Sequence, residues 1–195
     1  GEMPEGLNVP AGEIAPAGWA RLRLNQEIVS ALHNLPKPTV AAVNGVAAGL
    51  GMDLALACDF IVASENAGFR MSFILRGLVP DGGGLHFLPR RVGVARAKAM
   101  IFSGEQVDAG RAVEMGLADK LAAADALLAE ATTWARVLGR QPATALALAK
   151  QILGASFETS LEQSFAASNQ AQAICYTTAD HRRLVEDFLQ PRQKG

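Results

Sequence analysis

Cysteine is scarce in this chain: Cys58 and Cys175 are the two in 195 residues, far apart and in no CxxC pair, so structural zinc has no support. Charge of one sign is missing as well. Eighteen Lys and Arg against 19 Asp and Glu leave a net charge of -1, which removes the basic face that a nucleic-acid surface needs. Histidine is limited to His33, His86 and His181, which show no metal-ligand spacing. The longest apolar region, residues 39–63, is interrupted by Asn44, Asp53, Asp59 and several glycines, so it is not a membrane span. No basic-then-apolar signal segment opens the chain, and neither repeats nor low-complexity segments occur. Half of the residues are hydrophobic, enough for a sizeable core in a single soluble domain, and the low cysteine content reads as a reduced, cytoplasmic setting.

Glycine, by contrast, is concentrated where it matters. Residues 39–43 read as a buried strand, Gly45, Gly49 and Gly51 as a turn, and the residues from Gly51 onward as a helix start. Such a turn aims free backbone N–H groups, with the positive end of a helix dipole behind them, at an anion or an oxygen about to become one. A P-loop needs a Gly-Lys-Ser/Thr ending that is absent, and a dinucleotide fingerprint needs a third glycine where Leu54 stands.

A second glycine-rich element, residues 77–84, carries a single carboxylate, Asp81. Pro80 fixes its approach, and Gly82, Gly83 and Gly84 clear side chains from the space a ligand would use. Enclosure by Leu78, Val79 and Phe87 raises a carboxylate's pKa and suits an acid or base. The alternative is that Asp81 is simply the N-cap of a helix over residues 85–91.

The first part of the chain alternates helix and strand: a helix over 19–35, strands over 39–43 and 60–63, and a short helix from 51. Beyond Gly84 the spacing of apolar residues predicts helices over 94–102, 109–115, 124–138, 142–156, 161–173 and 178–189, with a short strand near 117–121. Gly139 suits a helix end, and Pro142 a first helical turn. The alanine-rich helices of residues 122–149 have an apolar face to spare, which marks association rather than mere coverage of their own sheet.

Taken together, the ordered motifs resemble the enoyl-CoA hydratase/isomerase, or crotonase, superfamily from about residue 35 to the C-terminus. They are Lys37-Pro38-Thr39-Val40-Ala41-Ala42-Val43-Asn44-Gly45, Gly49-Leu50-Gly51, Cys58-Asp59-Phe60-Ile61-Val62-Ala63, Leu78-Val79-Pro80-Asp81-Gly82-Gly83-Gly84 and Leu88-Pro89-Arg90-Arg91-Val92-Gly93. Ser103-Gly104-Glu105, Ala112-Val113-Glu114-Met115-Gly116-Leu117 and Asp180-His181-Arg182-Arg183 continue the pattern. The resemblance implies an α/β crotonase-like spiral of ββα units, with residues 1–121 as the partial core and residues 122–195 as a helical trimerisation region. It also implies an acyl-CoA thioester as substrate, no cofactor beyond that coenzyme A, no metal, and a homotrimer or dimer of trimers.

Departures from the family pattern carry the functional detail. Of the two glutamates by which hydratases of this family activate water, the first falls on Asp53 and the second on Phe73, which cannot move a proton. The carboxylate at Asp81 occupies a turn where hydratases carry glycine, and this is similar to the isomerase branch, closest to the ring-epoxide isomerases of phenylacetate breakdown. The resemblance makes Asp81 the proton shuttle and the Leu50 N–H an oxyanion donor, a group worth about 10²–10³ in rate. Gly49, Gly51, Phe73, Gly82, Gly83 and His86 then contact substrate, although His86 also fits a solvent-facing or packing role. The family's other oxyanion donor lies on an early strand that residues 1–36 do not match. Residues 1–18 look like the loop after that strand, so the N-terminal part of the fold is expected to be missing from this chain.

Three readings follow: an isomerase acting through Asp81, a hydratase using Asp53 with Asp81, and an acyl-CoA-binding or assembly subunit without turnover. Phe69, Met71, Phe73, Leu75 and Phe87 suit either an apolar pocket or an ordinary core, and Arg70, Arg76, Arg90 and Arg91 are candidates for the coenzyme A phosphates.

Overall fold

A computed structural model describes residues 14–189. It divides into two compact units: the described residues up to His33 with Ala41–Leu127, and Asn34–Val40 with the described residues from Leu128 onward.

The first unit opens with helix α1 (Ile14–His33), followed by strands β1 (Val40–Val43) and β2 (Val46–Ala48) and helix α2 (Leu50–Ala57). Strands β3 (Phe60–Ser64) and β4 (Gly68–Arg70), a 3₁₀ turn at Ser72–Arg76, and helices α3 (Gly84–Val92) and α4 (Val94–Ser103) come next. Strand β5 (Gln106–Asp108), helix α5 (Ala109–Glu114) and strand β6 (Lys120–Ala122) complete it. Two three-stranded sheets result, ordered β1-β3-β6 and β2-β4-β5. β3 pairs in parallel with β6, β2 in parallel with β4, and β5 antiparallel to β4.

β3 shows why these strands read as apolar runs rather than alternating ones. Ile61, Val62 and Ala63 are all fully buried, as expected of a parallel strand covered on both faces. α2 is apolar apart from Asp53, with Met52, Ala55, Leu56 and Ala57 inside the core. Phe69 and Met71 are core residues too. α5 starts where the Asp108 carboxylate accepts the Arg111 amide at 2.9 Å.

The second unit contains helices α6 (Leu127–Gly139), α7 (Ala143–Gly154), α8 (Leu161–Tyr176) and α9 (Ala179–Leu189). Ser160 and Gln163 form a reciprocal capping box at the start of α8. Phe165 of α8 and Phe188 of α9 stand 58% and 83% exposed, so these helices present apolar surface that their own unit does not cover, and Phe157, in the turn between α7 and α8, is 75% exposed.

Most expected elements are present with ends moved by a few residues. Residues 14–18 are an exception: they form the first turns of α1 rather than a loop, while the remainder of that expected loop, residues 1–13, lies outside the described residues. β2, β4 and β5 were not anticipated, because three residues are too few to show a period, and β2 sits between two glycines. Pro142 is the N-cap of α7 rather than a residue of its first turn, and Gly139 is the last residue of α6.

Arg91 ties the end of α3 to the sheet. Its guanidinium donates to the carbonyls of Asp59 at 2.8 Å and Leu117 at 3.1 Å and pairs with the Asp119 carboxylate at 3.2 Å. That carboxylate also accepts the Ile61 amide at 2.7 Å, so one planar cation holds a helix, a strand and a loop together. Arg91→Lys keeps the charge and loses the fork. Denaturant unfolding is expected to show a loss of about 2 kcal/mol, because at least one partly buried carbonyl is left without its charged donor.

Candidate active site

The site is built from the two glycine turns, and each is held from behind by backbone. Gly49, with φ of 54°, follows β2 and caps α2; its N–H donates to the Arg70 carbonyl at 3.0 Å, so the turn is pinned to the end of β4. Its carbonyl accepts the amides of Met52 and Asp53, both at 3.0 Å. No hydrogen bond within the described residues involves the Leu50 amide, which opens α2 with the helix dipole behind it. A Cβ on Gly49 would meet the Ser72 hydroxyl at 3.5 Å and the Phe73 ring at 3.7 Å, so Phe73 lies directly against this turn. Gly51 is exposed, with open space where a side chain would stand.

One turn into α2, Asp53 has no exposed surface, and neither of its carboxylate oxygens has a hydrogen-bond partner among the described residues. Above it passes the second turn. A Cβ on Gly82 would stand 2.6 Å from Asp53 Oδ2 and 3.0 Å from Leu50 Cδ1; one on Gly84 would stand 2.5 Å from Asp53 Oδ1. These two positions therefore take glycine because the carboxyl of Asp53 and the side chain of Leu50 occupy the room. The Leu50 turn and the Asp81 turn are thus in contact through the start of α2.

Asp81 is partly exposed, and its carbonyl accepts from Gln26 Nε2 of α1 at 3.0 Å. It is not the N-cap of α3: that place belongs to Gly83, with φ of 101° and no side-chain cap. His86 lies on the exposed side of α3 with its ring edge-on to Phe87 at 5.1 Å, and the other ring near Phe87 is His33 at 4.9 Å.

Burial, and then the charge of Asp81, push the Asp53 carboxyl up to about 7. The Gly82 and Gly84 amides oppose this from positions that fall short of hydrogen-bond geometry.

Asp81, Leu50, Asp53, Gly49, Gly82 and Gly83 are therefore gathered in one place, Phe73 adjoins Gly49, and His86 lies a turn further on. The proposed pocket residues divide differently: Phe69 and Met71 are sealed in the core, and Leu75 is exposed. Three of the four phosphate candidates have structural partners, since Arg70 donates to the Gly104 carbonyl at 2.6 Å, Arg90 to the His86 carbonyl at 2.9 Å, and Arg91 is the clamp described above. Gln26 was missed, because nothing in the pattern of a helix distinguishes a glutamine that bonds to a distant turn from one that faces water.

This arrangement of paired sheets, glycine turns and trailing helices is the crotonase fold. The crystal structure of an enoyl-CoA hydratase/isomerase from Cupriavidus metallidurans CH34 superposes with a TM-score of 0.85 at 36% identity, over 89% of this chain and 66% of that one. The chain belongs to the enoyl-CoA hydratase/isomerase family, an enzyme family whose model matches residues 19–194. It is 37% identical over 183 residues to 1,2-epoxyphenylacetyl-CoA isomerase of Escherichia coli (strain K12), covering 94% of this chain and 70% of that protein. It is 36% identical over 192 residues to 2,3-dehydroadipyl-CoA hydratase of the same strain, covering 98% of this chain and 71% of that protein. The chain spans about two thirds of the length of the relatives it matches, and those relatives are named for both activities. No helix among the described residues is long and apolar enough to cross a membrane.

The buried carboxyl has a thermodynamic signature. Its pKa is higher in the folded chain, about 7, than its ordinary value of 3.8, so the folded state holds the extra proton between those values. Stability from this group is complete below about pH 4 and is lost as pH rises through 7, at up to about 1.4 kcal/mol per pH unit. Asp53→Asn is expected to remove that slope, which denaturant unfolding from pH 4 to 8 would read directly.

Proposed function

We propose that this protein is an acyl-CoA isomerase that moves a carbon–carbon double bond, or rearranges a ring, through a thioester enolate. The observation that carries this reading is that the one partly exposed carboxylate at the paired turns is Asp81, while a phenyl ring, Phe73, stands against Gly49. Asp81 takes the α-proton of a β,γ-unsaturated thioester. The C–H electron pair becomes the new Cα–C1 double bond, and negative charge collects on the thioester oxygen. The Leu50 amide donates to that oxygen as the charge develops. Asp81 then returns the proton to the γ-carbon, the double bond comes to lie between α and β, and the enolate collapses to the thioester. One carboxylate completes the cycle, and neither water nor an external oxidant or reductant is consumed.

In this reading Gly49, Gly51, Gly82 and Gly83 keep side chains away from the acyl group, and Phe73 supplies an apolar wall. The exposed phenyl rings on the helices of the second unit support self-association as a trimer or a dimer of trimers. A reduced cytoplasmic setting agrees with two cysteines that are not joined in a disulfide.

A hydratase would need two carboxylates facing one water. Asp53 has no surface with which to hold it. Asp81→Asn in the complete encoded polypeptide is expected to lower double-bond migration in a β,γ-enoyl-CoA by about 10²–10⁴. Equal rates in the two proteins exclude Asp81 as the shuttle; hydration of crotonyl-CoA that disappears in Asp53→Asn would favour the hydratase instead.

A further inference from the structure

Asp53 is a carboxyl without exposed surface and without a hydrogen-bond partner among the described residues, enclosed by the turn that carries a second carboxylate, Asp81. Isolated charge in such a place is costly, and two neighbouring carboxylates ionise in turn rather than together. Among the described residues, Asp81 is the charged group that acts on it, and it is of like sign. From the turn and α3, the groups against Asp53 are Gly82, Gly84 and, as a field, Asp81. From β4 and the residue after it comes the Met71 thioether. Of the charged groups on α1, Arg23 pairs with Glu27 at the surface, and His33, like His86 of α3, faces Phe87. What α1 turns toward the site is the neutral amide of Gln26, spent on the Asp81 carbonyl.

Resting on the reading of Asp81 as proton shuttle, we propose that Asp53 is its positioning partner: a carboxylic acid, sealed under the Gly82–Gly84 arch, that keeps the proton of the pair and leaves the ionised state to Asp81 at the surface. The division of labour follows from exposure. Asp81 reaches solvent and substrate, so its anion is hydrated at rest and is the group that meets the acyl chain. Asp53 reaches neither, so it acts only through Asp81. When Asp81 picks up the substrate proton its negative charge vanishes, and the constraint that kept Asp53 neutral relaxes. When Asp81 gives the proton back, the constraint returns. A buried acid thus answers each half of the shuttle without touching the substrate.

Infrared difference spectroscopy at about pH 6, where exposed carboxyls are ionised, tests the proton's location without any turnover. The carbonyl stretch of a protonated carboxylic acid is expected in the unaltered protein and is expected to be absent from Asp53→Asn and to remain in Asp81→Asn. No such band, or one that survives Asp53→Asn, overturns the proposal. Kinetics test the coupling: kcat against pH is expected to show an inflection near 7 that Asp53→Asn removes, with KM within about twofold and kcat reduced by about 10- to 100-fold. Asp53→Ala, with a relieved arch, guards against misfolding of a single variant, and a pH profile unchanged in both variants overturns the positioning role. Failure of the isomerase reading looks different, with the infrared band intact but no double-bond migration in any of the proteins.

Discussion

A carboxyl buried where nothing neutralises it is the constraint around which this site is arranged. Asp53 sits one turn into a helix whose other inward residues are alanine, leucine and methionine, and the chain covers it with glycines. Without Cβ atoms at 82 and 84, the second turn can descend onto α2 until backbone meets carboxyl. That descent fixes where Asp81 stands, because Asp81 immediately precedes the first of the two glycines. It also brings the turn within reach of Gln26 on α1, whose amide donates to the Asp81 carbonyl. One close approach therefore sets where the backbone of the proposed proton shuttle stands.

The oxyanion side depends on backbone in the same way. Gly49 adopts a positive φ, lends its amide to Arg70 and its carbonyl to the first turn of α2, and leaves the Leu50 amide with nothing to bond within the described chain. The donor's position is then determined by parallel pairing of β2 with β4, a feature of the sheet rather than of any side chain. Leu50 contributes a second, unrelated service, since its methyl group packs where a side chain on Gly82 would have to go. Donor and base are consequently referenced to the same few atoms, and a displacement of either turn is felt by both.

Much of this was legible in the residues. Glycine clusters at 45–51 and 82–84 flagged the two turns, the single carboxylate in the second flagged Asp81, and long amphipathic periods gave the C-terminal helices. Three-residue strands left no period to read, and so the pairing that carries the Leu50 donor was invisible. The partners of Arg70 and Gln26, and two of the three of Arg91, are carbonyls distant in sequence, and a carbonyl has no residue type that could announce it. The burial of Asp53 was hidden for a different reason: an aspartate in a helix otherwise apolar can face out or in, and only the glycines thirty residues away show which.

Those same glycines explain why the cost of burying Asp53 is met locally rather than spread through the fold. The proton on that group stabilises the fold below about pH 7 and that stability is lost above it, so on the acid side of neutrality the protonated form is the one the folded arch favours. A neutral acid behind an exposed anion is also what a one-carboxylate shuttle needs. If both groups were charged, the developing enolate would form beside two negative charges with only amide dipoles to offset them. If both were neutral, no base would remain. The burial gradient from Asp53, with no surface, to Asp81, at the rim, selects the intermediate state, in which the pair carries one proton and one charge. Fold stability and proton transfer therefore favour the same protonation state, and the turn that encloses the acid is the turn that presents the base.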